Sequence, residues 1–217
     1  MSEAMINLLL SALGETLVMV AASAAFSALF GIPLGVALHV TKPGAVLAHP
    51  LLNRLLGTLV NIGRSVPFII LLVAIIPFTR FVVGTSIGTI AAIVPLTVGA
   101  IPFVARLIEG ALLEVPSGLV EAAQAMGAKP LQIIGKVLLP EALPGIINAI
   151  TITLVTLVNY SAMAGAIGGG GLGDVGIRYG YQRFDPAVML ITVVMLVVLV
   201  QLIQSLGERL VRRVDHR

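Results

Sequence analysis

Few side chains in this 217-residue chain are able to do chemistry, and their spacing restricts them further. With no cysteine, thiolate nucleophiles, disulfides and thiolate metal sites are excluded, and His39, His49 and His216 are too scattered to share a metal ion. Gly168, Gly170 and Gly173 satisfy GxGxxG, whose glycines let a backbone approach a pyrophosphate. No strand pattern precedes them, however, and the chain has no Gly-Lys-Ser/Thr, so nucleotide binding by this chain is not expected. Asp174 follows that run, and aspartyl proteolysis would need it paired with a second aspartate inside a span. The other two are Asp185, beside a proline at a span's mouth, and Asp215, at the C-terminus. There remain Arg64, a single cation within an apolar run, and the row Asn159, Tyr160, Ser161 and Met163 near the end of another. A charge at the bilayer centre costs at least ~2.5 to 3.5 kcal/mol, so Arg64 should snorkel to an interface, face protein or line a wet cavity. Snorkelling is the simpler reading; facing a pathway, Arg64 would be placed to meet a substrate carboxylate. Helix-to-helix hydrogen bonding accounts for most of the polar groups from Thr151 onward, and the 159 to 163 row is also placed to touch a passing solute.

The elements that carry these residues follow from composition. At 58% hydrophobic and 11% charged, with a mean hydropathy of +1.10, the chain is too apolar for a soluble domain and is an integral membrane protein. The net charge of +3 comes from basic residues spread among apolar runs and gathered only at the C-terminus, which does not suit a nucleic-acid partner. No basic n-region precedes the first apolar run, so it reads as an uncleaved span.

Five spans are expected, at about 16–38, 55–79, 87–105, 143–166 and 186–206, each near the ~20 apolar residues that a bilayer requires. The first carries small residues four apart, Ser23 and Ser27, Ala24 and Ala28, Gly31 and Gly35, which permit close helix approach. The second is interrupted by Asn61, Arg64, Pro67 and Pro77 and should be kinked or broken. Gly84-Thr85-Ser86 is a turn, and Gly168 to Asp174 reads as a flexible re-entrant or surface loop. The fold class is therefore all-α: a single polytopic domain over 1–217.

Residues 117–140 stand apart because they are mildly polar among strongly apolar runs. Leu119, Ala122, Ala123 and Met126 recur at i, i+3, i+4 and i+7 as one helical face, with Ser117 as its cap and Gly127 as its left-handed stop. Pro130 suits the first turn of a second helix whose stripe is Leu131, Ile134 and Leu138, and Pro140 should end it. The segment is too interrupted to span and is expected at the surface as two short helices, exposing Glu121 and Lys129.

The spacing Glu121-Ala122-Ala123, three residues, Gly127, nine residues, Val137, one residue, Leu139-Pro140 resembles the EAA loop of bacterial ABC importers, with Val137 in place of the usual isoleucine. Longer stretches, AAIVPLTVGAIPFVARLIEGALLEVP from Ala91, KVLLPEALPGIINA from Lys136 and YSAMAGAIGGGGLGD from Tyr160, are similar to the methionine-importer permeases of that family. The resemblance implies a homodimer of five-helix subunits in the bacterial inner membrane. It also implies two cytoplasmic ATPase subunits that bind the ATP, a lipid-anchored or periplasmic methionine-binding protein outside, and no cofactor in this chain. On that basis residues 117–140 form a coupling helix between the third and fourth spans. Glu121 makes polar contacts in the ATPase groove, Ala122, Ala123 and Met126 pack there, Gly127 permits the bend, and Leu139-Pro140 closes the motif. Asn159 departs from the small residue expected in that family.

Charge asymmetry supplies an orientation without the motif. Lys42, Arg54, Arg106, Lys129, Lys136, Arg209, Arg212, Arg213 and Arg217 fall on one side of five spans, and Arg80, Arg178 and Arg183 on the other. The positive-inside rule then places the N-terminus in the periplasm and both the 117–140 segment and the C-terminus in the cytoplasm. Two other classes are consistent with a polytopic chain. An ATP-independent carrier or channel would need coupling charges within the spans and internal repeats, and apart from Arg64 neither is seen. Gly171-Leu172-Gly173-Asp174 also resembles the GxGD signature of intramembrane aspartyl proteases, which lacks here its paired aspartate.

Overall fold

Inside a bilayer the backbone has no water to satisfy its polar groups, and long runs of Ala, Leu, Val and Ile without turn residues settle into helices that bond internally. The computed structural model describes residues 3–215, and every regular element among them is helical. His216 and the tail residue Arg217 lie outside the described residues.

Helix α1, Glu3–Val40, is 38 residues long, about 57 Å at 1.5 Å per residue, so it begins well before the expected start at residue 16. Pro50–Ser65 (α2), Phe68–Ala74 (α3) and Ile76–Val83 (α4) follow where one interrupted span was expected. The bend between α2 and α3 is 97°. Pro67 causes it, because its ring disfavours helical geometry in the preceding residue, and Val66 is extended at φ −83°, ψ 122°. A second break falls at Ile75, two residues before Pro77. After the left-handed Gly84 and the Thr85–Ile87 turn comes α5, Thr89–Leu113. Next are α6, Ser117–Ala125, and α7, Pro130–Ile133, and then Leu139–Glu141 (α8) and Leu143–Ala164 (α9). The last two are Gly171–Val175 (α10) and Pro186–Val214 (α11).

Close approaches fix the directions of the helices. Gly31 and Gly35 lie buried against α5, where a Cβ on Gly35 would stand 2.6 Å from the Ala105 carbonyl oxygen and 2.7 Å from Ile108 Cβ. Ser23 donates to the Ile93 carbonyl one end further along, and Lys42 meets Glu109 at the other. Helices α1 and α5 therefore run parallel, so the chain between them must return across the whole bundle. The broken unit α2 to α4 is that return, which makes five crossings with α9 and α11. Glycine is required again where α9 meets α11: a Cβ on Gly207 would overlap the Thr151 side chain. The central cluster of Met19, Leu72, Leu96, Ala100 and Leu157 joins α1, α3, α5 and α9, and long apolar side chains such as Leu29, Leu190 and Leu202 remain exposed on the outside of the bundle, as a lipid-facing surface requires.

Two local expectations are corrected. Pro140 does not end a helix: residues 134–138 form a wide π turn in which Leu139 N–H bonds to the Ile134 carbonyl, five residues back. That widening accommodates the proline, and helical structure runs on, with one irregular residue at Ala142, into α9. Gly168 to Asp174 is not a loop throughout either, since Gly171 to Asp174 are helical. Gly168, Gly170 and Gly171 take positive φ to make one sharp corner, and α10 with the π-helical 176–181 that follows is packed through Leu172 and Val175 on α1.

Candidate functional site

The bent segment is built on its left-handed glycine. Gly127 has φ +79°, its N–H bonds to the Gln124 carbonyl, and Ala128 N–H reaches back to the Ala123 carbonyl, which together close α6 in a Schellman turn. Lys129 N–H then bonds Gln132 Oε1 at 2.8 Å and Pro130 opens α7, so the chain turns within four residues. Ser117 is the first helical residue, after Pro116, and makes no cap bond.

Burial divides the segment differently from the sequence pattern. Ala123, Ile133 and Leu138 are buried in one cluster with Ile108, Leu112 and Val115 of the α5 end, and Val120 packs on its edge. The expected face is thus split: Ala123 belongs to the anchor and is not free for a partner, whereas Leu119 is 42%, Met126 83% and Leu131 79% exposed. Glu121 and Ala122 are exposed with them, Leu139 is half-buried and Pro140 exposed. The presented surface is therefore Leu119, Glu121, Ala122, Met126 and Leu131, a carboxylate among apolar side chains.

Beside it lies a cavity of about 350 Å³ between α6 and the loop after α1, with Lys42, Val46, Ser117, Glu121, Gln124 and Leu138 among its walls. Lys42 connects this cavity to a group of charges that the sequence reading did not find. Glu109, 4% exposed, accepts from Lys42 Nζ at 2.8 Å and from Arg106 Nη1 at 2.5 Å, and Arg106 Nη2 donates to Asn61 Oδ1 at 2.7 Å. Glu109 thereby ties α5 to Lys42 just beyond α1, and Arg106 ties α5 to α2. The available sequence signal was the i,i+3 spacing of Glu109 from Arg106.

The other named residues do not form one cluster. Arg64 and Tyr160 come together on a cavity of about 130 Å³, with Phe68, Leu71, Gly99 and Phe103. The Phe68 and Tyr160 rings stack there, with centroids 4.3 Å apart and planes within 2°. Asn159 faces the opposite way, into a groove against Leu196, Val200 and Gln201 of α11. Ser161 is buried and bonded to the Val158 carbonyl, and Met163 is 43% exposed.

At the far end of the bundle the glycine corner is held by α1. Gly171 N–H donates to Glu15 Oε2 at 2.7 Å, Leu172 N–H donates to Thr16 Oγ1 at 2.9 Å, and Gly88 N–H donates to the Gly168 carbonyl at 2.8 Å. Asp174 is paired with Arg178, and Asp185 caps α11 through the Ala187 and Val188 N–H groups. Neither aspartate faces the other, so the arrangement that aspartyl proteolysis needs is missing. Among the described residues no group of three or more His, Cys, Asp or Glu is placed to hold a metal ion.

Comparison with known proteins agrees with this architecture. Residues 31–216 match the profile of the binding-protein-dependent transport system inner membrane component. A Vibrio cholerae protein named probable D-methionine transport system permease protein MetI is 70% identical over 97% of this chain and 94% of its own. The Escherichia coli K12 protein named D-methionine transport system permease protein MetI is 62% identical over 76% of each. A solved chain from the MetNI methionine ABC transporter in inward-facing conformations superposes with a TM-score of 0.98 at 59% identity, covering all of both chains. A chain from an amino acid ABC transporter solved with histidines shares the fold alone, with a TM-score of 0.72 at 18% identity.

Proposed function

Since the chain belongs to the family of binding-protein-dependent transport system inner membrane components, we propose that it is the permease subunit of an ATP-driven importer for methionine, the D-enantiomer included. Two copies form the pathway, a separate ATPase subunit binds the nucleotide beneath each copy, and an extracytoplasmic methionine-binding protein delivers the substrate. The N-terminus lies on the delivery side and residues 117–140 face the cytoplasm.

The observation that carries this reading is the division of the bent segment into an anchor and a presented surface. Ala123, Ile133 and Leu138 fasten it to the end of α5, while Glu121, Ala122, Met126 and Leu131 are left uncovered. A displacement applied to that surface is transmitted to α5 through close-packed side chains, and from α5 to α1 through Glu109 and to α2 through Arg106. ATP binding draws the two ATPase subunits together, the paired segments move with them, and the spans swing from inward-open to outward-open. Gly127 holds the angle between α6 and α7 on which that transmission depends.

Reconstitution tests the proposal. In vesicles containing this chain, its ATPase subunit and the binding protein, labelled methionine accumulates only with ATP. Uptake by this chain alone without nucleotide would establish a carrier instead.

A further inference from the structure

We propose that Arg209 and Arg213, on the outer flank of α11, bind the phosphate of an anionic phospholipid whose acyl chains lie against Leu202 and Leu206. Which leaflet holds the lipid rests on the orientation given above; the binding itself does not.

The length of α11 sets the level. Asp185 caps its first turn, and Leu206 is twenty residues on from Pro186, about 30 Å at 1.5 Å per residue, which matches the ~30 Å hydrocarbon core of a bilayer. Arg209 and Arg213 follow about 5 and 10 Å further out, at the level of the headgroups, and their long stems can lean back toward the hydrocarbon. Of the four long apolar helices α11 is the least buried. Leu190, Val194, Val198, Leu202 and Leu206 are each more than half exposed, so its outer surface is apolar along its length, as a lipid contact requires.

Charge is sorted around the end of this helix. Leu202, Leu206, Arg209 and Arg213 stand at i, i+4, i+7 and i+11 and share one face, all four exposed. Glu208 lies about 160° round the helix from Leu206, where it accepts from Gln204 beside a recess shared with Asn148 and Thr151 of α9. Asp215 stands past the last helical turn, at the C-cap. Among the described residues no hydrogen bond or ion pair reaches Arg209 or Arg213. Membrane topology and the helix dipole both favour basic residues at this end. Neither requires the cations to continue the leucine face while the carboxylate turns away from it. A phosphate at the rim of the hydrocarbon does, because a guanidinium holds two of its oxygens while the leucines below remain against the chains. A second copy is a poor cover for the same face, since an isologous contact there sets the arginines of one protomer against those of its partner.

The chain has no tryptophan, which allows a local readout. Leu206→Trp is introduced into the assembled importer, which is reconstituted in phosphatidylcholine vesicles containing phosphatidylglycerol. Bromine is carried on the acyl chains of one lipid or of the other at equal mole fraction, and the importer without the substitution gives the background. Brominated phosphatidylglycerol is expected to quench the Leu206→Trp fluorescence at least about twofold more than brominated phosphatidylcholine does. Adding Arg209→Gln with Arg213→Gln is expected to abolish this preference, and Arg209→Lys with Arg213→Lys to keep part of it. Leu190→Trp, at the other end of α11, is expected to show no preference. Equal quenching of Leu206→Trp by the two lipids, a preference that survives the glutamine pair, or an equal preference in Leu190→Trp would each overturn the proposal. Quenching by neither lipid would overturn it as well, because protein would then cover the face. No step uses ATP or methionine, so the outcome is independent of the substrate reading.

Discussion

Lys42 Nζ stands 2.8 Å from Glu109 Oε1, tying the end of α1 to the end of α5 beside the cavity that Glu121 lines. Glu109 is almost wholly buried, while the side chains of Lys42 and Arg106 keep 32% and 27% exposure. Removing the carboxylate leaves two cations facing each other that water still reaches in part. Glu109→Ala should therefore cost about 2–3 kcal/mol, below the 3–5 kcal/mol of a fully buried pair. Thermal unfolding of the solubilised permease checks this, and Lys42→Met combined with Glu109→Ala should cost less than the sum of the two singly.

Gly127 is tested through conformation alone, because nothing lies within 4 Å of a Cβ added there. Alanine at φ +79° costs about 1–2 kcal/mol, and a β-branched residue more. Gly127→Val should leave insertion and dimer formation intact, while ATP hydrolysis continues without matching methionine uptake. Both rates measured on the same vesicles decide it, and normal uptake would remove Gly127 from the coupling path.

How far the sequence could be read depends on the scale of each interaction. The Gly127 stop, the break at Pro67 and the small-residue seam of α1 are local steric facts, and each was visible in the residues themselves. The i, i+3, i+4, i+7 pattern of Leu119, Ala122, Ala123 and Met126 marked an apolar stripe but not its division, with Ala123 buried against the α5 end and the other three exposed. Val120, Ala123 and Ile133 make the actual anchor. Pro140 misled because a π turn upstream absorbs it. The Glu109 cluster and the Glu15 clamp join residues 67 and 156 positions apart, beyond any periodicity.

The α1 and α5 seam gives a stability test with an internal control. Gly35→Leu would drive a side chain into Ala105 and Ile108, whereas Gly14→Leu meets nothing within 4 Å. Overpacking of this kind costs about 1–3 kcal/mol or more. Gly35→Leu should lower both yield and melting temperature, and Gly14→Leu should leave both unchanged.

Glu15 holds the glycine corner by accepting one N–H, a role that an amide oxygen also performs. Glu15→Ala should cost about 1–3 kcal/mol, and Glu15→Gln clearly less. Hydrogen exchange of the 165–175 segment reads this directly: faster exchange in the alanine variant and near-native protection in the glutamine variant.

Met126, 83% exposed beside the left-handed Gly127, is the best-placed side chain from which to identify what the bent segment touches. A photo-crosslinking residue at this position, activated in intact cells, should form its principal adduct with the ATPase subunit. An adduct with the extracytoplasmic binding protein, or a correctly inserted chain that forms no ATPase adduct, would contradict the account.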